Sequence, residues 1–476
     1  MKRNIIKLLL IIPSLMAIAT GCQDKLDIVP NQSLSPEKAL STEGDLVGAL
    51  IGAYDGLQSA SLYGGDIQLV ADMWANRYYL RFRGTFNGLL QIASITTTSN
   101  VILTDNAWAR DTWADAYETI NTCNVVLDNL ELSEGVIRPT ASVEGEALFI
   151  RGSLYFELAR LYGRTWGDGN NNTNLAVPLV LTPTPFQIDG LNESDYPSRN
   201  TVAEVYAQAK SDLQAAVTLL PETNQHYATK WAALAQLSRI ALMQGDYATA
   251  LDAANQVIES NRYSLTEPFN NLWFNYINFG GVAPLEYIFY IKITNQDGTN
   301  GLNTYYGGTI SSIPGTAGRR DLTPETSWVN LHETGDVRRT YFNTSSGRRL
   351  TNKHLDRFGH VPVIRLAEMY LTRAEANFRL GSNVGDEPLN DVNRIRTRVN
   401  LPNLDIADLD LDAILKERFL ELAYEGHLLH DIKRTRGTTA GSNNTNGPAW
   451  DSPRLIFPVP QRETDVNKNL VQNEGY

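Results

Sequence analysis

The sequence predicts an all-α protein of paired helices, with long irregular loops and a minor β component. Three observations carry that prediction. Apolar residues recur at steps of three and four in several separate stretches, the period of a helix with one buried face. A glycine-centred turn, Gly245-Asp246-Tyr247, joins two such stretches and is flanked by small residues. From residue 264 to 360 the helical period vanishes while Gly, Asn, Thr and Ser rise, which marks a long irregular region.

The chain opens with Lys2 and Arg3, an apolar run from Ile5 to Ile18 broken by Lys7 and Pro13, and Ala19-Thr20-Gly21 directly before Cys22. That run is too short and too interrupted to span a bilayer, which takes about 20 apolar residues. Its order, basic then apolar then small, is that of an export signal, so residues 1–21 are excluded from the fold. An ordinary secretory signal would not need a cysteine at the cut. The segment resembles a bacterial lipoprotein signal, which implies that Cys22 becomes a diacylated N-terminus and that residues 22–40 act as a tether. The only other cysteine, Cys123, lies in a helical pattern and reads as a small buried apolar residue. With Cys22 acylated, no disulfide forms within the monomer, and a core must hold the fold.

The composition, 42% hydrophobic and 20% charged, is that of a globular chain. Its formal net charge is −12, and removing the three basic residues of the signal takes it to about −15 by the same count. Such a protein repels nucleic acid and gains nothing from an anionic membrane surface, so attachment to a membrane is expected through lipid.

After the tether, Ser41 is placed as the cap of a first helix carrying Leu46, Leu50, Ala53, Tyr54 and Leu57. A second helix carries Trp113, Tyr117, Ile120, Asn124 and Leu127. A third runs from about Val143 to Leu161, with Gly163 where a terminating glycine belongs. Residues 164–200, rich in Gly, Asn and Pro, read as an ordered excursion. Helix resumes at Thr201 and stops at Pro221. Trp231, Ala235, Leu242, Gly245, Tyr247, Ala250 and Ala254 then form a pair resembling a tetratricopeptide unit, whose small residues let two helices approach closely. One unit cannot bury its own face, so tetratricopeptide-like repeats should stack, discontinuously in sequence, with a further pair at Val363–Leu380 and Asn390–Val399. Within the irregular stretch, Glu286 to Ile291 reads as a short strand. Its scattered aromatics argue for a binding surface and against disorder. The division expected is 41–263, with helix pairs, and 264–476, with a loop-rich ligand-binding part and further helices.

The C-terminal third carries a diagnostic series. Pro362-Val363-Ile364-Arg365-Leu366-Ala367-Glu368-Met369-Tyr370-Leu371 leads into Ala374-Glu375-Ala376-Asn377 and then Asn390-Asp391-Val392-Asn393-Arg394-Ile395-Arg396. Glu421-Leu422-Ala423-Tyr424-Glu425-Gly426-His427, Asp431-Ile432-Lys433-Arg434 and Phe457-Pro458-Val459-Pro460 follow. This series, with Cys22, Leu26-Asp27-Ile28-Val29-Pro30 and the helix from Glu146 to Phe156, resembles the SusD/RagB family of outer-membrane nutrient-binding lipoproteins. The resemblance spans the mature chain. It departs at Leu428-Leu429-His430, where an arginine and aromatics are expected, and a local repacking is anticipated there.

The resemblance implies a SusD-like α-α superhelix whose loops bind oligosaccharides or, in some branches, peptides. It implies a lipoprotein on the outer face of the outer membrane that serves a SusC-like TonB-dependent transporter, with no catalysis and no cofactor. By the same resemblance, ligand contacts come from the region of Asp72-Met73-Trp74-Ala75-Asn76-Arg77 and from the late irregular region. A sugar ring has an apolar C–H face and a polar rim, which suits aromatic rings beside amides and charges. The candidates are Asp72, Trp74, Asn76, Arg77, Tyr305, Tyr306 and Trp328. Trp113, Tyr117, Trp231 and Tyr247 sit on helical stripes and are assigned to packing, while Trp108 stays open between the two roles.

Other chemistry is weaker. Glu417, Glu421 and Glu425 are spaced by four and are expected on one helix face, meeting Arg365, Arg394 or Arg396 as structural ion pairs rather than as glycosidase carboxylates. His427 and His430 share an i, i+3 spacing but lack a completing cluster. Asp168-Gly169-Asn170-Asn171-Asn172 alternates oxygens as a calcium loop does, without the sixth-position glycine or the distal glutamate. No metal is therefore expected. On this reading, Trp74→Ala or Trp328→Ala should weaken ligand binding and leave the melting temperature nearly unchanged, as read by titration and thermal denaturation; a large loss of stability would make them core residues.

Overall fold

The computed structural model describes residues 40–95, 102–184, 196–441 and 445–476. The signal segment, Cys22 and the tether up to residue 39 lie outside the described residues. The principal helices are α1 (Glu43–Gln58), α2 (Asp66–Ala75), α3 (Asn87–Ser94), α4 (Ala107–Asp128), α5 (Thr140–Tyr162), α6 (Val202–Leu219), α7 (Lys230–Gln244) and α8 (Tyr247–Glu259), then α9 (Gly301–Tyr306), α10 (Leu366–Leu380), α11 (Pro388–Arg398), α12 (Leu411–Glu421) and α13 (Leu428–Arg434). Short strands β1 (Leu80–Phe82), β2 (Tyr287–Ile291), β3 (Leu322–Pro324), β4 (Phe342–Ser345), β5 (Arg348–Thr351), β6 (Val361–Arg365), β7 (Thr438–Ala440) and β8 (Asn446–Ala449) lie between them. They form antiparallel pairs, β1 with β3, β2 with β6, β4 with β5 and β7 with β8. No helix of the described residues is long and apolar enough to cross a membrane.

The helices stack as a series: α1 on α4, α4 on α5, α5 on α6, α6 on α7, α7 on α8, and α8 on α10, which also packs against α11 and α12. The array is thus continuous in space although about a hundred residues separate α8 from α10 in sequence. Gly245, in the left-handed region at φ 72°, ends α7, and the Asp246 side chain accepts from the Thr249 amide at 3.2 Å to start α8.

Several local expectations change. Thr42 and not Ser41 caps α1, because Asp45 returns the bond as a capping box. Residues 361–365 are strand, and α10 begins only at Leu366. Helix α2, ten residues long, is absent from the sequence reading; all ten of its residues are buried, the polar Asp66, Gln68 and Asp72 among them. The irregular stretch has its own core, where Phe269, Trp273, Phe274, Tyr287 and Tyr341 pack with Leu350 and Leu355. Cys123 is fully buried, and burial pushes its thiol up to about 12.

The expected ion pairs form a deeply buried polar cluster. Arg365 Nη1 lies 2.9 Å from Glu286 and 2.6 Å from Glu421, and its Nε lies 2.7 Å from Glu425. Arg398 pairs with Glu286 at 2.6 Å and also with Glu421. Arg338 reaches Glu417 at 2.7 Å and Glu421 at 3.3 Å, and Lys353 reaches Glu425 at 2.6 Å. Arg396 meets Glu417 at 3.5 Å, whereas Arg394, half exposed, pairs with Asp386 at 2.8 Å. Glu425 is not on the helix face foreseen for it: α12 ends at Glu421, and the chain turns through Tyr424 at φ 65° and Gly426 at φ 79°.

Burial alone would raise the carboxyls of Glu421 and Glu425, but the surrounding guanidinium and ammonium charges outweigh it and hold both below the ordinary range, Glu425 at about 2. Depressed carboxyls contribute stability above their unfolded value near 4.5 and lose it as the pH falls towards 2. The urea midpoint should therefore drop between pH 5 and pH 3. Arg365→Met, which removes a cationic partner from each of three buried carboxylates, should lower the unfolding free energy at pH 7 by about 3–5 kcal/mol; an unchanged urea midpoint would contradict the account.

Candidate functional site

Two close backbone approaches bring the site together. The Gly301 amide donates to the Gly64 carbonyl at 2.7 Å, and a Cβ on Gly65 would stand 2.7 Å from Gly301 Cα, so glycine lets the start of α2 touch the start of α9. A Cβ on Gly88 would stand 2.5 Å from the Trp108 ring, so glycine there lets that indole lie against the start of α3. Asn106 fixes the other side: its Oδ1 accepts from the Trp108 amide at 3.0 Å while its Nδ2 donates to the Gly88 carbonyl at 3.1 Å and to Gln91 at 2.9 Å.

These constraints bring two aromatic rings against Phe86, at interplanar angles of 60° and 78°. Phe86, 38% exposed, lies 6.0 Å from Trp108 and 6.3 Å from Tyr305 between ring centroids, both partly buried. The Arg319 guanidinium stands 4.4 Å from the Phe86 centroid and pairs with Asp321 at 2.9 Å. Asp66, buried at the start of α2, adjoins both Trp108 and Tyr305. Burial pushes its carboxyl up to about 8 against the pull of the Trp108 indole, and Asp111 and Asp115 push the same way. Burial, with Asp66 beside it, takes the Tyr305 hydroxyl up to about 12. Solvent-facing ring surface flanked by a guanidinium and carboxyls is what the two-sided chemistry of a sugar asks for.

Of the residues foreseen from sequence, Tyr305 stands on this aromatic shelf. Its neighbour Tyr306 points inward, fully buried, and donates to Asp72 Oδ2 at 2.9 Å. Asp72 Oδ1 accepts from the Gly426 amide at 3.2 Å, and burial pushes its carboxyl up to about 7. Trp74 is fully buried, its ring 4.7 Å from Phe457. Asn76 is buried where the chain bridges to Ala440. Arg77, half-buried, donates to the Ala93 carbonyl at 3.3 Å. Trp328 packs within 4.8 Å of Phe419 and 5.3 Å of Tyr424. Asp72, Trp74, Asn76, Tyr306 and Trp328 are therefore interior positions, which a ligand does not reach in this conformation; the reason is the burial of α2 and of the turn at 424–426 against it.

Phe86 was not foreseen, and Trp108 was left open. The available signal was Gly84-Thr85-Phe86-Asn87-Gly88, an aromatic between two glycines in a polar loop. The aromatics Trp273, Tyr287 and Tyr341 of the irregular stretch are core. A concavity of ≈ 440 Å³ beside α1 and α4 is lined by Asp55, Asp115, Glu118 and Asp297 and by no aromatic ring. In the loop after Gly167 the side-chain oxygens of Asn170 and Asn171 accept from Asn172 and Gly167 amides, and Asp168 pairs with Arg164. His430 is buried and His427 mostly so, and desolvation lowers both, His427 to about 3.

Residues 70–242 match a family model described as "Starch-binding associating with outer membrane", and residues 314–476 match one described as "SusD family". SusD-like protein P2 of Formosa agariphila is 26% identical, over 97% of this chain and 98% of its own. The starch-binding protein SusD of Bacteroides thetaiotaomicron is 32% identical over 24% of this chain and 21% of its own. Among solved structures, a putative sugar binding protein from Bacteroides vulgatus superimposes with a TM-score of 0.77 at 25% identity, covering 92% of this chain and 99% of that one.

The burial of Trp74 and Trp328 reverses the outcome expected of their substitution. Each alanine variant should lower the unfolding free energy by about 3–5 kcal/mol in urea titrations; a melting temperature within a degree of the parent would return them to the list of surface contacts.

Proposed function

The chain belongs to the SusD family, and on that premise we propose that it is a lipid-anchored binding protein of the outer membrane's external face. It captures oligosaccharides and passes them to a SusC-like TonB-dependent transporter for uptake. The observation that carries this reading is the aromatic shelf of Phe86, Trp108 and Tyr305 with Arg319 beside it. Stacking on ring faces binds a sugar without distorting it, and the acidic groups nearby are engaged: Asp321 with Arg319, Asp66 with the Trp108 indole. The family models and relatives support binding rather than turnover, and the starch named for one relative supports a glycan as ligand.

Calorimetric titration of oligosaccharides and peptides into the protein tests the reading. Saturable binding of a glycan class, with the glycan recovered intact, is expected. Phe86→Ala should weaken that binding at least tenfold with the melting temperature held within about 2 °C, since an exposed ring contributes little to the core. Binding of peptides alone, or cleavage of any glycan, would contradict it.

A further inference from the structure

Next to the shelf lies a groove of ≈ 570 Å³ between β1, β3 and the turn from β4 to β5. Its charged lining is Arg81, Arg83, Arg348, Arg349 and Glu325, four guanidinium groups to one carboxylate in a chain of net charge −12. Arg83 is neutralised, 2.8 Å from Glu325 and 2.8 Å from Thr323 Oγ1. The other three have no carboxylate within ion-pair distance among the described residues. Arg348 donates through one nitrogen to the Arg320 carbonyl at 2.8 Å and Arg349 through one nitrogen to the Pro324 carbonyl at 3.4 Å, which orients each fork and leaves its other donors open. Arg81 is exposed, its carbonyl accepts from Thr323 Oγ1 at 3.4 Å, and its side chain makes no hydrogen bond within the described residues.

Like charges lining one groove repel, and its single carboxylate, Glu325, is engaged by Arg83. Guanidinium forks fixed on short strands suit a planar or tetrahedral oxyanion, which they grip through two parallel N–H bonds. The groove also adjoins the shelf along the chain. Phe86 follows Arg83 by three residues, at most about 11 Å of backbone, and Arg319, over the Phe86 ring, precedes the Arg320 carbonyl that holds Arg348. That separation is within the length of a short oligosaccharide.

We propose that this arginine groove is an anion subsite, receiving a sulfate or carboxylate substituent of an acidic oligosaccharide whose neighbouring ring stacks on Phe86. It rests on the sugar-binding reading of the shelf and adds the ligand's charge class. The chain as a whole carries a net charge of −12, which disfavours polyanions in general, so the groove selects for anions that also present a stackable ring.

The test titrates the full-length protein with size-matched κ-carrageenan oligosaccharides (sulfate), oligogalacturonates (carboxylate) and maltoheptaose (neutral), at 50 and 500 mM NaCl, for the parent, Arg81→Gln, Arg81→Gln with Arg348→Gln, and Phe86→Ala. One acidic class should bind at least tenfold more tightly than maltoheptaose, with affinity falling at high salt and falling at least tenfold in the double variant; which acidic class binds identifies the oxyanion. Arg81→Gln alone, whose side chain makes no internal bond, should show part of the loss with an unchanged melting temperature, so a folding defect in the double variant does not decide the matter. Neutral glycan binding that depends on Phe86, with no preference for acidic probes or no loss in Arg81→Gln, would overturn the anion subsite and leave the sugar-binding reading standing. Failure of every saccharide probe would overturn both.

Discussion

The structure depends on a buried lattice of opposite charges in which Arg365, Arg398, Arg338 and Lys353 hold Glu286, Glu417, Glu421 and Glu425. An isolated charge in such an interior would cost several kcal/mol, so each member is tolerable only while its partners stay in place. That requirement fixes the meeting point of β2, β6, α11 and α12, elements drawn from residues 286 to 425. Arg239 extends it to α7 through Glu368 at 2.7 Å, and Arg434 ties α13 to α10 through Glu375 at 2.6 Å.

From this lattice a line of contacts runs to the ligand shelf. Lys353 holds Glu425, and the next residue, Gly426, donates its amide to Asp72 in α2. Asp72 accepts from Tyr306, whose neighbour Tyr305 emerges beside Phe86. His354 bonds the Tyr424 carbonyl at 2.7 Å, and Asn303 donates to the His354 carbonyl at 2.8 Å, bracing α9 from the other side. A shelf held this way loses little conformational freedom on binding, which is how modest ring contacts yield useful affinity.

The sequence made the helical array legible because α1 and α4 to α8 keep either one apolar stripe or a capped glycine turn. It also foretold Arg365 and Arg396 as partners of the glutamates, since charges at helical spacing among apolar residues need counter-charges. What it concealed depends on contacts distant in sequence. The ten residues of α2 bury Asp66, Gln68 and Asp72 along with the apolar ones, so Asp72 and Trp74 looked like surface chemistry. The Trp328 indole is enclosed by Phe419 and Tyr424, residues about ninety positions away. The shelf itself is assembled from residues 66, 86, 108, 305 and 319, and only the packing brings them together.

Hydrogen exchange followed by mass spectrometry tests most directly whether the charge lattice holds a preformed site. The account predicts that amides in 286–291, 361–370 and 417–426 exchange only through global unfolding, and that those of 303–306 follow close behind, in the absence of any ligand. Rapid exchange of these segments, at the rate of the exposed loops, would mean that the site is ordered by its ligand and not by the fold.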